Sequence, residues 1–134
     1  FTLHYKPFVQ EFVNKAAGRR MKRVASVPPF DACFDTSTIG NSVTGLAVPI
    51  IDLVVPGGVQ WTVYGANSMV MTNKNVAYLA FVDGGVKPKM SSVEASIVIG
   101  GHQLEDNLLV IDMASSKLSF SSSLLLLNAT CSHV

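Results

Sequence analysis

The sequence predicts a mainly β fold with one N-terminal helix and one short internal helix, and three observations carry that expectation. Apolar residues recur at helical spacing near the start of the chain. From residue 49 onward, short β-branched and aromatic runs alternate with glycine, asparagine and aspartate. Hydrophobic residues make up 49% of the 134 positions and charged ones only 14%, which is enough apolar surface for one core and too little charge for a disordered chain.

The helix comes first. Tyr5, Phe8, Val9, Phe12 and Val13 fall on one face, with Lys6, Gln10, Glu11 and Asn14 opposite. Thr2 or His4 can precede its first turn, Pro7 is tolerated near that end, and Gly18 is placed to terminate it. Pro28-Pro29 then predicts an extended connection. Strands are expected at 49–55, 59–64, 68–72, 76–82 and 95–99. The turns between them are Pro56-Gly57-Gly58, Gly65-Ala66-Asn67, Asn73-Lys74-Asn75 and Asp83-Gly84-Gly85, all rich in residues that accept positive φ or bond their own backbone. This spacing predicts an antiparallel meander. Residues 100–106 read as a tight turn and one short helix, followed by a strand at 108–113. Ala114-Ser115-Ser116 turns the chain into a last strand at 117–121, and a leucine run leads to the tail carrying Asn128 and Cys131.

The length fits one domain or part of one. No apolar run approaches the roughly 18 residues of a membrane span. The first residues lack the basic region and apolar run of a signal peptide, so a secreted protein is expected here in processed form. Net charge is +1, yet five of the ten basic residues, Lys15, Arg19, Arg20, Lys22 and Arg23, fall within nine positions. Without interleaved aromatics this cluster does not read as a nucleic-acid site; it reads as a solvated linker, with a binding or processing site as the alternative. Cys33 and Cys131 lack zinc-site spacing with each other or with His4, His102 or His133, and neither metal nor cofactor is expected. The even count permits one internal disulfide, worth about 4 to 5 kcal/mol for so long a loop in the chain-entropy model. Asn128-Ala129-Thr130 is an N-glycosylation sequon. Together with the cysteines it points to an extracellular or vacuolar setting.

Longer strings add to the periodicity. Pro29-Phe30-Asp31-Ala32-Cys33-Phe34, Ile51-Asp52-Leu53-Val54, Trp61-Thr62-Val63-Tyr64-Gly65-Ala66-Asn67-Ser68-Met69-Val70 and Val98-Ile99-Gly100-Gly101-His102-Gln103-Leu104-Glu105-Asp106-Asn107-Leu108 occur in this order. Nearly the whole chain resembles the C-terminal lobe of the plant extracellular dermal glycoproteins, xylanase and xyloglucanase inhibitors and basic 7S globulins. The resemblance implies a pepsin-like, aspartic-protease fold, of which residues 1–134 form part of the C-terminal lobe: a helix and basic linker at 1–27 and a β-rich lobe core at 28–134. It also implies an upstream lobe or large subunit as a partner.

An aspartic protease needs two carboxylates sharing a proton, one from each lobe. Asp35-Thr36-Ser37 superficially resembles an Asp-Thr-Gly loop but lacks the glycine, and Asp52, Asp83 and Asp112 occur singly. No Gly-x-Ser-x-Gly elbow accompanies the serines. No catalytic residue is expected. His102 reads as a packing residue at a turn and Trp61 as a core or inter-strand residue rather than a sugar platform.

In the inhibitors, the resemblance implies, loops of this lobe enter the hydrolase cleft and set a His or Arg against the catalytic carboxylates, where charge-assisted hydrogen bonds give affinity and blockage. Just before the last cysteine this chain has Leu126-Leu127-Asn128-Ala129-Thr130, with no His or Arg, which leaves Arg20 and Arg23 of the basic cluster as the binding residues expected. Relatives commonly carry a further cysteine where Tyr78 stands. The resemblance then implies that Cys131 bonds the upstream lobe or large subunit and Cys33 stays free, with a Cys33–Cys131 bond as the alternative.

The reading that follows is a secreted, non-catalytic inhibitor of microbial cell-wall glycoside hydrolases, a xylanase or xyloglucan endoglucanase, acting in the extracellular space or cell wall in plant defence. The alternatives are a basic 7S globulin-like seed storage or peptide-binding small subunit of the storage vacuole and, third, a fragment of an active aspartic endopeptidase.

Overall fold

The structure, a computed structural model, describes residues 2–72, 74–85 and 97–132. Its first element is α1, Thr2–Gly18. The face expected from the spacing is the one that packs: Val9, Phe12 and Ala16 are buried, and Tyr5, Phe8 and Val13 lie against them. The helix starts earlier than expected, so Pro7 is interior and forfeits one intrahelical bond.

It ends at Gly18, as the sequence predicts. Met21 N–H donates to the Ala16 carbonyl at 3.1 Å and Arg20 N–H to that of Ala17 at 2.9 Å, the paired bonds of a Schellman motif. The left-handed position belongs to Arg20, at φ 60°, not to Gly18. The reversal at that point lets Met21 join Ala16 in the core, which sets the left-handed residue two positions past the glycine.

Beyond it lie β1 (Arg23–Val24), β2 (Cys33–Asp35), the hairpin β3 (Asn41–Ser42) and β4 (Gly45–Leu46), and the hairpin β5 (Ile51–Val54) and β6 (Gln60–Val63). The helix α2 (Gly65–Ser68), β7 (Met69–Met71) and β8 (Val76–Leu79) follow, then α3 (Gly101–Leu104), β9 (Leu109–Asp112) and β10 (Lys117–Phe120), with a closing 3-10 turn at Leu124–Leu127. The chain is mainly β, as the sequence predicts.

Three connections depart from expectation. Between β1 and β2 the Pro28–Pro29 bond is cis, and Phe30 N–H donates to the Val27 carbonyl at 2.8 Å; this is a tight reversal, not an extended segment. Gly65-Ala66-Asn67 is the body of α2 rather than a turn. The largest sheet runs β1-β2-β8-β7, all antiparallel, so β2 pairs with a strand far along the chain and the meander is broken. Of the strand expected at 95–99, residues 95 and 96 lie outside the described residues, as does Asn73 of the turn before β8, and 97–99 form no ladder among the described residues.

Helix and sheet share one core. Phe34 and Leu79 from β2 and β8 and Met69 from β7 cluster with Val9, Phe12 and Ala16 of α1, and the Phe12 and Phe34 rings meet edge to face at 6.1 Å. The two-stranded β9–β10 ribbon is different: every residue of β9 is exposed, Ile111 at 72%. A hairpin with so much open apolar surface is marginal in water by itself.

A tyrosine ties α1 to the sheet side. The Tyr5 hydroxyl donates to Asp31 Oδ2 at 2.9 Å and lies 3.3 Å from the Phe81 carbonyl. Burial, then the Asp31 bond and the charges of Asp31 and Asp83, push its pKa well above the ordinary 10.0. A folded-state pKa above the unfolded one means the folded state holds its proton longer, so this stability is complete below pH 10.0 and is lost as pH rises beyond it. Tyr5→Phe is expected to lower stability by about 1 kcal/mol at neutral pH and to flatten the alkaline fall, as denaturant titrations at a series of pH values would show.

Candidate functional site

The longest sequence strings converge on one polar clamp. Asn67, in α2 and 2% exposed, donates from Nδ2 to the carbonyls of His102 at 3.0 Å and Glu105 at 2.8 Å. Buried Gln103 donates to the Ala80 carbonyl at 3.1 Å, and its Oε1 accepts from Gly100 N–H at 3.2 Å. Asn107 bridges Trp61 Nε1, at 3.3 Å, to the Glu105 carbonyl, at 2.8 Å. His102 Nε2 lies 3.1 Å from the Met69 carbonyl, so that nitrogen carries the proton. The bonds to Gly100, His102 and Glu105 satisfy backbone groups at both ends of α3, a helix too short to do so alone. Trp61 is buried and packs on Phe120 at 5.6 Å, and His102 serves the turn, both as expected.

The carboxylates are committed to local structure. Asp35 accepts from the Ser37 hydroxyl and N–H at 2.6 and 2.9 Å, capping a 3-10 turn at Thr36–Thr38. The Ser37 hydroxyl first, then its N–H and the Lys22 charge, hold Asp35 below the usual carboxylate range. Ser115 and Ala114 do the same for Asp112 at the β9–β10 turn. Asp52 accepts from Thr62 across the β5–β6 ladder at 2.6 Å, and Asp83 accepts from Gly85 N–H at 2.9 Å. A general acid needs the opposite of the shift that Asp35 and Asp112 show.

An open groove of about 310 Å³ between α1 and β5 is mostly apolar; its Glu11 pairs with Lys15 at 3.5 Å. A second, of about 280 Å³, lies beside His102, Met69 and Gly45. Among the described residues no three His, Cys, Asp or Glu converge on a metal-sized site, and His133 lies outside them. No described helix is long and apolar enough to cross a membrane.

The basic cluster is more structured than a solvated linker. Arg19 donates to the carbonyls of Ala47 and Val48 at 3.3 and 3.0 Å, Arg23 to that of Asp31 at 3.1 Å. The Arg20 side chain is exposed and makes no hydrogen bond or ion pair among the described residues, while its backbone takes the left-handed position just after α1. Its charge is thus presented at the surface where α1 ends. Asn128 and Cys131 sit elsewhere, on a C-terminal strap fastened where Asp106 accepts Leu124 N–H at 2.7 Å and Cys131 N–H at 2.8 Å. No bond joins the strap to the basic cluster among the described residues.

Cys33 is buried in β2 and Cys131 is exposed, and the structure holds no disulfide between them. In the β2–β8 ladder Cys33 faces Tyr78, and the Leu79 N–H to Ala32 carbonyl bond at 2.9 Å marks that as a non-hydrogen-bonded pair, whose side chains approach most closely. Tyr78→Cys is therefore expected to form a cross-strand disulfide. After losing the Tyr78 ring stacked on Phe30 at 3.9 Å, the oxidised variant should gain about 2 kcal/mol over the reduced one, read as a reductant-sensitive shift in denaturation midpoint.

An antiparallel β lobe with two clamped short helices and an apolar ribbon is the C-terminal portion of a pepsin-like fold. The chain belongs to the Xylanase inhibitor C-terminal family, whose pattern matches residues 2–122. It is 50% identical over 127 residues to the probable aspartic proteinase GIP2 of Nicotiana benthamiana, a match covering 94% of this chain and 26% of that one. The crystal structure of edgp superposes with a TM-score of 0.88 at 48% identity, covering 98% of this chain and 31% of that one. That of conglutin gamma, a basic 7S globulin from lupine seeds, gives 0.76 at 34% identity, covering 96% and 30%. The chain thus spans between 26% and 31% of the length of these proteins.

Sequence reasoning gave no individual role to Asn67, Gln103 or Asn107. The available signal was a cluster of amides inside turn-forming strings; their burial depends on which turns meet.

Proposed function

We propose that this chain is part of the C-terminal lobe of a non-catalytic, secreted pepsin-fold protein that inhibits microbial cell-wall glycoside hydrolases, a xylanase or xyloglucan endoglucanase. The observation that carries the reading is membership of the Xylanase inhibitor C-terminal family over residues 2–122. The committed state of Asp35, Asp52, Asp83 and Asp112 supports its non-catalytic side. The open apolar β9–β10 ribbon supports an upstream lobe or large subunit as its cover. No cofactor enters this reading.

Arg20 supplies the probing cation. A left-handed arginine costs about 1 kcal/mol relative to glycine, and local strain is most often retained where a side chain has work to do. Set against an acidic pair in a hydrolase cleft, an unpaired guanidinium gains bidentate, charge-assisted bonds. Arg23 is already partly used by the Asp31 carbonyl.

The experiment is calorimetric titration of the intact protein, and its Arg20→Gly variant, into a xylanase and a xyloglucan endoglucanase with the cleft empty or filled by an oligosaccharide. Nanomolar to micromolar binding that the oligosaccharide abolishes is expected. Arg20→Gly should fold more stably and bind at least tenfold more weakly; unchanged binding would remove Arg20 from the interface. No binding to either hydrolase would favour the second reading, a basic 7S globulin-like storage or peptide-binding protein. The likeness to lupine conglutin gamma and a tail without His or Arg at 126–130 support that alternative.

A further inference from the structure

We infer that Asn128 carries an N-linked oligosaccharide, an inference that rests on the secretory part of the reading above. Of the asparagines in the chain, only Asn128 stands in a sequon, Asn128-Ala129-Thr130. Three features of the fold make the site fit to be occupied. Asn128 is exposed and takes the left-handed cap of the 3-10 turn, at φ 53°, which turns the chain at the surface. Its backbone is already used, with its N–H donating to the Leu125 carbonyl at 3.1 Å, while its side chain has no hydrogen bond among the described residues. Modification therefore breaks no contact that the strap needs: the strap is held instead by Asp106, through Leu124 and Cys131.

In the transfer, the Asn128 amide nitrogen forms a bond to the anomeric carbon of a lipid-linked oligosaccharide. The carbon–oxygen bond to the lipid pyrophosphate breaks, and that pyrophosphate leaves with the electron pair as the nitrogen gives up one proton. The product places a large polar group next to Leu126 and Leu127, which are 46% and 77% exposed.

The test uses the intact parent protein expressed in plant cells, recovered separately from the secreted fraction and the cell lysate, beside Asn128→Gln and Thr130→Ser. The strap peptide is treated with a peptide N-glycosidase in heavy-oxygen water and read by mass spectrometry. The expected result is secreted protein with labelled aspartate at position 128 in most molecules, retained in Thr130→Ser, with one glycan lost in Asn128→Gln. Secreted protein with unlabelled Asn128 overturns this inference and leaves the secretory reading standing. Protein found only in the lysate overturns both.

Discussion

Gly65→Ala is expected to destabilise the protein by about 4 kcal/mol, far more than a methyl group normally costs. A Cβ at Gly65 would lie 2.0 Å from the Leu46 carbonyl oxygen and 2.9 Å from its carbon. Both are backbone atoms of the β3–β4 hairpin, so no rotamer change relieves the clash. The hairpin is pinned from the other side as well: Ala66 N–H donates to the Thr44 carbonyl at 2.8 Å, and Gly45, at φ +93°, leaves 2.4 Å between its own missing Cβ and Ala66 N. To admit a side chain, α2 must lift from the hairpin, and with it the Asn67 clamp. Gly18→Ala is the control. Nothing lies within 4 Å of that position, and alanine in the last turn of α1 should be neutral or stabilise by about 0.5 kcal/mol. Chemical denaturation of both variants checks the contrast; equal effects would mean that α2 and the hairpin do not pack as described.

Asn67→Asp is the second large effect, about 3 kcal/mol of destabilisation at neutral pH. The change is nearly isosteric, so packing is preserved and only the donor is lost. Two carbonyls, those of His102 and Glu105, then face a carboxylate that can give them nothing. Burial and those oxygens raise the pKa of the introduced carboxyl in the folded state above its unfolded value of about 4. A raised folded pKa gives stability that is present below the unfolded pKa and lost as pH rises through the folded one. The variant should therefore sit closest to the parent below about pH 4 and fall behind as pH increases. Asn67→Leu, which removes the donor without adding a charge, should show a deficit that does not grow with pH. Parallel pH profiles for the two variants would contradict the clamp.

Much of the fold was legible because its signals are local. The face of α1 follows from a 3.6-residue period, and Pro56-Gly57-Gly58 announces the β5–β6 hairpin, where Gly57 and Gly58 take φ 94° and 78°. The features missed are those set by distant partners. Arg20 rather than Gly18 takes the left-handed position after α1, because Met21 has a core to reach. β2 pairs with β8 for reasons that no turn sequence contains. Arg19 looked solvated until the carbonyls of Ala47 and Val48 came within reach, and Asn67 looked like a turn residue until α3 was placed beside it. Of the site, the cations and the sequon were legible; which cations are taken up by backbone carbonyls was not, since that depends on which segments fold back onto them.

The most direct measurement of the central claim is made on one preparation of the intact protein: residual activity of a xylanase and a xyloglucan endoglucanase as it is titrated in, alongside cleavage of a denatured protein substrate at acid pH with and without an aspartic-protease inhibitor. Stoichiometric loss of hydrolase activity and no peptide cleavage are expected. Peptide cleavage that the protease inhibitor blocks, with both hydrolases left fully active, would contradict the central claim.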